Sequence, residues 1–152
     1  MDIFIQKFIT EIEFWAELRV PYRHLGTTRR GCDCSGFIVG VLQELGYAKN
    51  YRLRKCLPDW NLHKESENYV MEEIGYFADE VQLSDIQTGD ILIMRFGRSL
   101  SHIGVLVDSV SKMFVHVYST AGCVRKSTLI NSPWTKRLEK VYRLNEQKIQ
   151  TL

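Results

Sequence analysis

The stretch DCSGFIVGVLQELG, residues 33–46, constrains the fold more than any other part of the chain. Phe37, Ile38, Val39, Val41, Leu42 and Leu45 cover more than one face of a helix, so the remaining elements must cover that helix on several sides. Gly36 and Gly40 permit close approach of neighbouring backbone, and Gly46 stands where a left-handed C′ residue would stop the helix. Asp33 is placed as the N-cap, which puts Cys34 in the first turn among unpaired amides and the positive end of the helix dipole. A central, buried helix therefore begins with a thiol.

A thiol attacks only as thiolate, and a helix N-terminus or an imidazolium neighbour can lower its pKa by several units. The amides at the same helix start can donate to an oxyanion. Two histidines, His102 and His116, follow on runs that read as neighbouring strands. Ser35 is the rival nucleophile, but a hydroxyl of far higher pKa is the weaker choice beside a thiol. Cys32 and Cys34 with the two histidines would also make a zinc set, although the gap between the cysteines is narrower than structural zinc usually shows.

The two histidines flank a turn around Asp108–Lys112, and an antiparallel hairpin pairs residues whose numbers have a constant sum. Sums of 218 or 220 put His102 and His116 on one face, and sums of 219 or 221 put them on opposite faces. A slip of one residue reverses every side chain, so the register stays open at this point.

Elsewhere the pattern is that of one α+β domain spanning residues 1–152. Ile3, Phe4, Phe8, Ile9, Ile12, Trp15 and Leu18 predict an amphipathic helix from Asp2 to about Arg19, ended by Pro21. The polar, glycine-bounded run from Tyr22 to Gly31 reads as the loop feeding the thiol helix. Between Tyr47 and Leu83 a short helix near Glu65–Ile74 is expected, with Pro58 breaking any longer one. Five strands are then expected, over Asp90–Phe96, His102–Val107, Met113–Tyr118, Gly122–Lys126 and Leu138–Leu144, as an antiparallel sheet packed on the Cys34 helix. Trp15, Trp60 and Trp134 read as core or rim, with Trp60 a candidate substrate contact, and Cys123 reads as a packed strand residue.

A formal charge of +2 gives no argument for a nucleic-acid partner. Basic residues gather at Arg23, Arg29 and Arg30, and at Arg52, Arg54 and Lys55, either as solvated loops or as a surface for an anionic substrate. No run approaches a membrane span or has the layout of a signal peptide, so synthesis in the cytoplasm is expected. The four cysteines are irregularly spaced in a chain large enough to fold without disulfides, and are expected to be reduced.

Three ordered motifs, DCSGF at 33–37, SHIGV at 101–105 and FVHVY at 114–118, together with the GD pair Gly89–Asp90, resemble the NlpC-type cysteine peptidases of cell-wall turnover. The resemblance runs from about Pro21 to Arg125. It implies a papain-like α+β fold, and hydrolysis of amide bonds in peptidoglycan stem peptides, commonly the D-glutamyl to diamino-acid bond, without metal or cofactor. On that resemblance Cys34 is the nucleophile, His102 the general base and His116 the residue that orients it, with Tyr22 lining the site and assisting the oxyanion. Asp33 and Ser35, which flank the nucleophile in the same motif, join Tyr22 as expected oxyanion or substrate-lining residues.

Where many relatives carry a double glycine between the tyrosine and the nucleophile, this chain has YRHLG followed by a basic TTRR. In this it resembles the small peptidase-like proteins of phage tails and gene-transfer agents, which implies action at the cell wall by way of a virion or tail, with tail-tip or injection-apparatus proteins as partners. His24 in that loop receives no catalytic role. Two alternatives stay open: a catalytically silent tail assembly component, and a papain-like acyltransferase or amidase on lipid or small-molecule amides. An apolar tunnel beside Cys34 would favour the latter, and an open polar groove would favour a peptide substrate.

Overall fold

The computed structural model describes residues 1–53 and 69–152. The readings for Arg54, Lys55, Cys56, Pro58, Trp60 and the beginning of the helix expected from Glu65 fall outside the described residues. Helix α1 (Ile3–Glu17) is capped by the Asp2 carboxylate, which accepts from the Phe4 amide at 2.8 Å. Its stripe of Phe4, Phe8, Ile9, Ile12 and Trp15 is buried as the periodicity requires. After a two-stranded ribbon, β1 (Thr27–Thr28) and β2 (Gly31–Cys32), comes α2 (Cys34–Glu44), buried from Ser35 through Leu42. Gly46, at φ +90°, ends it, and the Tyr47 amide reaches back to the Leu42 carbonyl at 2.9 Å.

The two glycines of α2 mark where it is pressed hardest. A methyl group at Gly36 would run into the Gly26 carbonyl, and one at Gly40 into the Thr27 carbonyl and the Trp15 ring. The Tyr22–Gly31 loop is thus packed directly on the first turns of α2. The expected helix before residue 74 is α3 (Tyr69–Gly75).

Among the described residues the main sheet has six strands, not about five: β3 (Ala78–Val81), β4 (Ile91–Phe96), β5 (Ser99–Asp108), β6 (Met113–His116), β7 (Arg125–Thr128) and β8 (Leu138–Leu144). Their order is β3-β8-β4-β5-β6-β7, all antiparallel. The additional strand, β3, alternates weakly and has only Ala78 buried, so it carries little period-two signal; pairing with β8 is what orders it. The strand expected at Gly122–Lys126 begins three residues later. Gly122 has φ +81°, and Cys123 and Val124 are bonded to Pro21 and Val20 instead of to β6. Cys123 is half-exposed ahead of the strand, not packed within it.

The sheet separates two cores. Ile91, Ile93, Ile103, Val105 and Val115 face α1 and α2, while Leu92, Met94, Leu106, Phe114 and Val141 form a second cluster on the other face. Part of that second face is covered by a single turn, α4 (Trp134–Arg137), and α5 (Glu146–Gln150) closes the chain. At the head of β4, buried Asp90 takes a two-point ion pair from Arg143 of β8, both contacts at 2.9 Å, and also accepts from the Gln87 amide at 2.8 Å. The GD pair thereby ties β8 to β4. No helix among the described residues is long and apolar enough to cross a membrane.

Candidate active site

The thiol helix meets the sheet with its first residue. Asp33 has extended backbone, and its carboxylate accepts from the Gly36 amide at 2.7 Å and from the Leu25 amide at 2.8 Å. One carboxylate thus caps the helix and holds the preceding loop, while the Cys34 and Ser35 amides stay at the helix mouth. Cys34 Sγ lies 3.5 Å from the Ser101 carbonyl oxygen, and the Ile103 amide also donates toward the sulfur. The Cys34 thiol therefore rests against the β5 backbone on either side of His102. The Ser35 hydroxyl donates toward the same sulfur and by itself favours the thiolate.

The register of the histidine hairpin is 220: Gly104 pairs with His116, Val105 with Val115 and Leu106 with Phe114, before a bulge at Val107 shifts Asp108 onto Met113. His102, two residues from Gly104, therefore shares a face with His116. His102 Nε2 lies 2.8 Å from His116 Nδ1, and His116 Nε2 lies 2.7 Å from Ser127 Oγ on β7. Both imidazoles are buried.

Ser127 was not singled out in the sequence. Its position opposite Phe114 in the β6–β7 register brings it to the histidines, and no local pattern announces that. Trp134, expected to be core or rim, packs on both imidazoles, with ring centroids 5.3 Å from His102 and 4.7 Å from His116. Phe96 and Tyr118 complete an aromatic enclosure, at 5.4 Å and 5.5 Å from the His102 ring. Such a shell excludes water from the His102–His116 hydrogen bond.

Desolvation dominates the electrostatics. Although Cys34 keeps some exposed surface, burial, reinforced by the Asp33 charge, pushes its thiol up to about 12, overriding the Ile103 amide of β5 and the hydroxyl and amide of Ser35. The expected lowering at a helix N-terminus is therefore reversed: the resting residue is a neutral thiol. Burial, then the His116 and Arg137 charges, hold His102 well below the usual histidine range, and burial with Arg125 brings His116 to about 3. Burial raises Asp33 too, opposed by its two amide bonds and by His24. Cys32, also buried, is pushed up further than Cys34.

Tyr22 is held near Cys34 by its backbone, bridged to Cys32 two residues before that thiol, with its amide 2.9 Å from the Gly122 carbonyl. Of the basic residues, Arg29 is bound to Glu11 at 2.6 Å and lies 4.9 Å over the Phe14 ring, and Arg52 donates to the Lys49 and Tyr51 carbonyls. These two belong to the scaffold. Among the described residues no group of three or more His, Cys, Asp or Glu side chains is placed to hold a metal ion.

The sequence model of the NlpC/P60 family matches residues 19–143. The chain is 29% identical over 126 residues to Murein DD-endopeptidase MepS/Murein LD-carboxypeptidase of Escherichia coli (strain K12), covering 82% of this chain and 56% of that protein. It is 33% identical over 126 residues to a probable endopeptidase of Haemophilus influenzae, covering 82% of this chain and 66% of the relative. The chain thus spans little more than half the length of the first of these relatives. Among solved structures, the NlpC/p60 domain of the peptidoglycan hydrolase SagA aligns with TM-score 0.62 at 14% identity, over 92% of this chain and 98% of that one. A protein of the NLP/P60 family from Staphylococcus aureus aligns with TM-score 0.64 at 17% identity, over 95% of this chain and 42% of that one. At such identities the structural likeness speaks for the fold.

Proposed function

Since the chain belongs to the NlpC/P60 family, we propose that it is a cysteine peptidase hydrolysing amide bonds of peptidoglycan stem peptides, with Cys34 as nucleophile, His102 as general base and His116 as orienting residue. The observation that carries the proposal is the seat of the thiol against the backbone on both sides of His102, together with the 2.8 Å His102–His116 bond that continues to Ser127 at 2.7 Å.

The base role assigns the tautomers. With Nε2–H of His102 donating to Nδ1 of His116, and Nε2–H of His116 donating to Ser127, the lone pair of His102 Nδ1 is available to the thiol. Neutral thiol and neutral imidazole form the resting pair, so the proton passes from Sγ to His102 as sulfur attacks the carbonyl carbon. The oxyanion is received by the helix-mouth amides of Cys34 and Ser35, with Tyr22 beside them. His102 then protonates the leaving amine, and water, deprotonated by the same imidazole, hydrolyses the thioester. His116 accepts from the imidazolium in the intermediate stages, within the shelter of Trp134.

The D-glutamyl to diamino-acid amide is the proposed bond, whereas the name of the MepS relative specifies a DD-endopeptidase and an LD-carboxypeptidase. Delivery through a phage tail or gene-transfer apparatus is part of the proposal, supported by the resemblance of the Tyr22–Gly31 loop. One observation favours the silent assembly role: the thiol donates to a backbone carbonyl at rest. Soluble stem peptides and their cross-linked dimers, incubated with wild type and with Cys34→Ala and read by mass spectrometry, test these readings together. Cleavage by wild type alone is expected, and its products identify the bond. No cleavage, with Cys34 inert to alkylation even at alkaline pH, would overturn the proposal in favour of assembly.

A further inference from the structure

Arg137, the last residue of α4, lies with its guanidinium carbon 5.1 Å over the Trp134 ring and 5.7 Å over Phe96. Both rings contact the His102 imidazole, at 5.3 Å and 5.4 Å. The cation is exposed, yet two aromatic faces restrict where it can go. On β4 and β8 the cations are paired, Arg95 with Glu139 at 2.7 Å, Lys140 with Glu80 at 3.4 Å and Arg143 with Asp90 at 2.9 Å, while Lys136, next to Arg137 on α4, has no ion pair among the described residues but no aromatic face beneath it either. Arg137 has no carboxylate within ion-pair distance among the described residues.

A fixed positive charge beside the general base opposes the reaction, because the imidazole must itself become positive when it takes the thiol proton. Its field already disfavours the protonated form of His102. An arrangement that hinders the base in the empty site becomes useful when the substrate brings an anion. Stem-peptide amides have that chemistry: the D-glutamyl to diamino-acid bond carries an α-carboxylate on its acyl side, and a D-alanyl to diamino-acid cross-link carries one on its amine side.

Resting on the reading of the site given above, we propose that Arg137 is a specificity residue that binds the carboxylate flanking the scissile amide, so that the substrate supplies the counter-charge under which His102 accepts its proton. The planar fork of arginine suits a carboxylate, and its stacking on Trp134 holds it ready. Trp134 thereby has two roles, shielding the histidine pair and aligning the cation.

The test uses the stem peptide that the wild type cleaves, prepared with the flanking carboxylate free and, in a matched peptide, as the carboxamide. Wild type is expected to prefer the free acid in kcat/KM by roughly tenfold to a hundredfold, the range of a charge-assisted hydrogen bond. Arg137→Gln should lose that preference by falling on the acid while staying within about threefold on the amide, and Arg137→Lys should regain part of it. Equal treatment of the two peptides by wild type, or an equal loss on both in Arg137→Gln, would overturn the inference. Titration calorimetry of both peptides into Cys34→Ala, with and without Arg137→Gln, reads the same discrimination without turnover. If wild type cleaves neither peptide, the peptidase reading fails, and calorimetry still decides Arg137: discrimination that disappears with Arg137→Gln supports it, and its absence overturns it.

Discussion

Lowering the pH from 7 to 5 should destabilise this fold through its buried histidine pair. His116 has a folded-state value of about 3, set first by burial and then by Arg125, against about 6.5 in an unfolded chain. With the folded value depressed, the unfolded state binds a proton that the native state refuses. The stabilisation is therefore complete above pH 6.5 and is lost as the pH falls toward 3. Integrating the linkage relation from pH 7 to pH 5 gives a loss of about 2 kcal/mol from His116 alone. His102, also held well below its usual range, acts in the same direction. The lowered carboxylates Asp79, Asp108 and Glu139 titrate beneath this window, while Asp33, raised by burial, works in the opposite sense. Urea unfolding at the two pH values, in an Asp33→Asn background that keeps a capping side chain, should show a decrease of at least about 2 kcal/mol. Adding His116→Gln should remove about that much of the pH dependence, whatever it does to stability at pH 7. A flat profile between pH 7 and 5, or a slope unchanged by His116→Gln, would refute the claim that this imidazole is buried and neutral.

With its thiol near 12, Cys34 at pH 7 is thiolate to the extent of about 10⁻⁵, against a few per cent for a free cysteine near 8.5. Alkylation located by peptide mass mapping should therefore climb about tenfold per pH unit from pH 6 to 9; a plateau reached below pH 6 would reveal a resting thiolate–imidazolium pair. Asp90→Ala removes two of the contacts of Arg143 at the β4–β8 seam but leaves it the Asp85 carboxylate and carbonyl, and should cost about 2 kcal/mol by denaturant titration, the range of charge-assisted hydrogen bonds. Ser127→Ala removes the acceptor of His116 and should lower kcat about tenfold with little change in KM; an equal loss in a His116→Gln background would show that Ser127 does not act through His116. Gly36→Ala drives a methyl group into the Gly26 carbonyl and should cost about 2–3 kcal/mol in thermal or urea unfolding.

The residues that carried the sequence reading are those whose signal is local. The apolar surround of α2, its Asp33 cap and its Gly46 stop depend on neighbours a few residues away, and each took the predicted conformation. The strands Ile91–Phe96 and Ser99–Asp108 follow from runs of buried residues, whereas Ala78–Val81 has one buried side chain and was illegible until β8 paired with it.

What the sequence by itself determined is that a capped, buried helix begins with Cys34, and that two histidines stand on a hairpin with two possible facings. Tertiary structure chose the facing, because a bulge at Val107 sets the sum at 220 and puts His102 and His116 on one side. It also brought Ser127 and Trp134 to the imidazoles from 11 and 18 residues beyond His116, distances over which no periodicity reaches. The sign of the thiol shift belongs to tertiary structure as well. A helix start favours thiolate wherever it lies, but desolvation is a sum over every segment packed around the sulfur, and here that sum is larger.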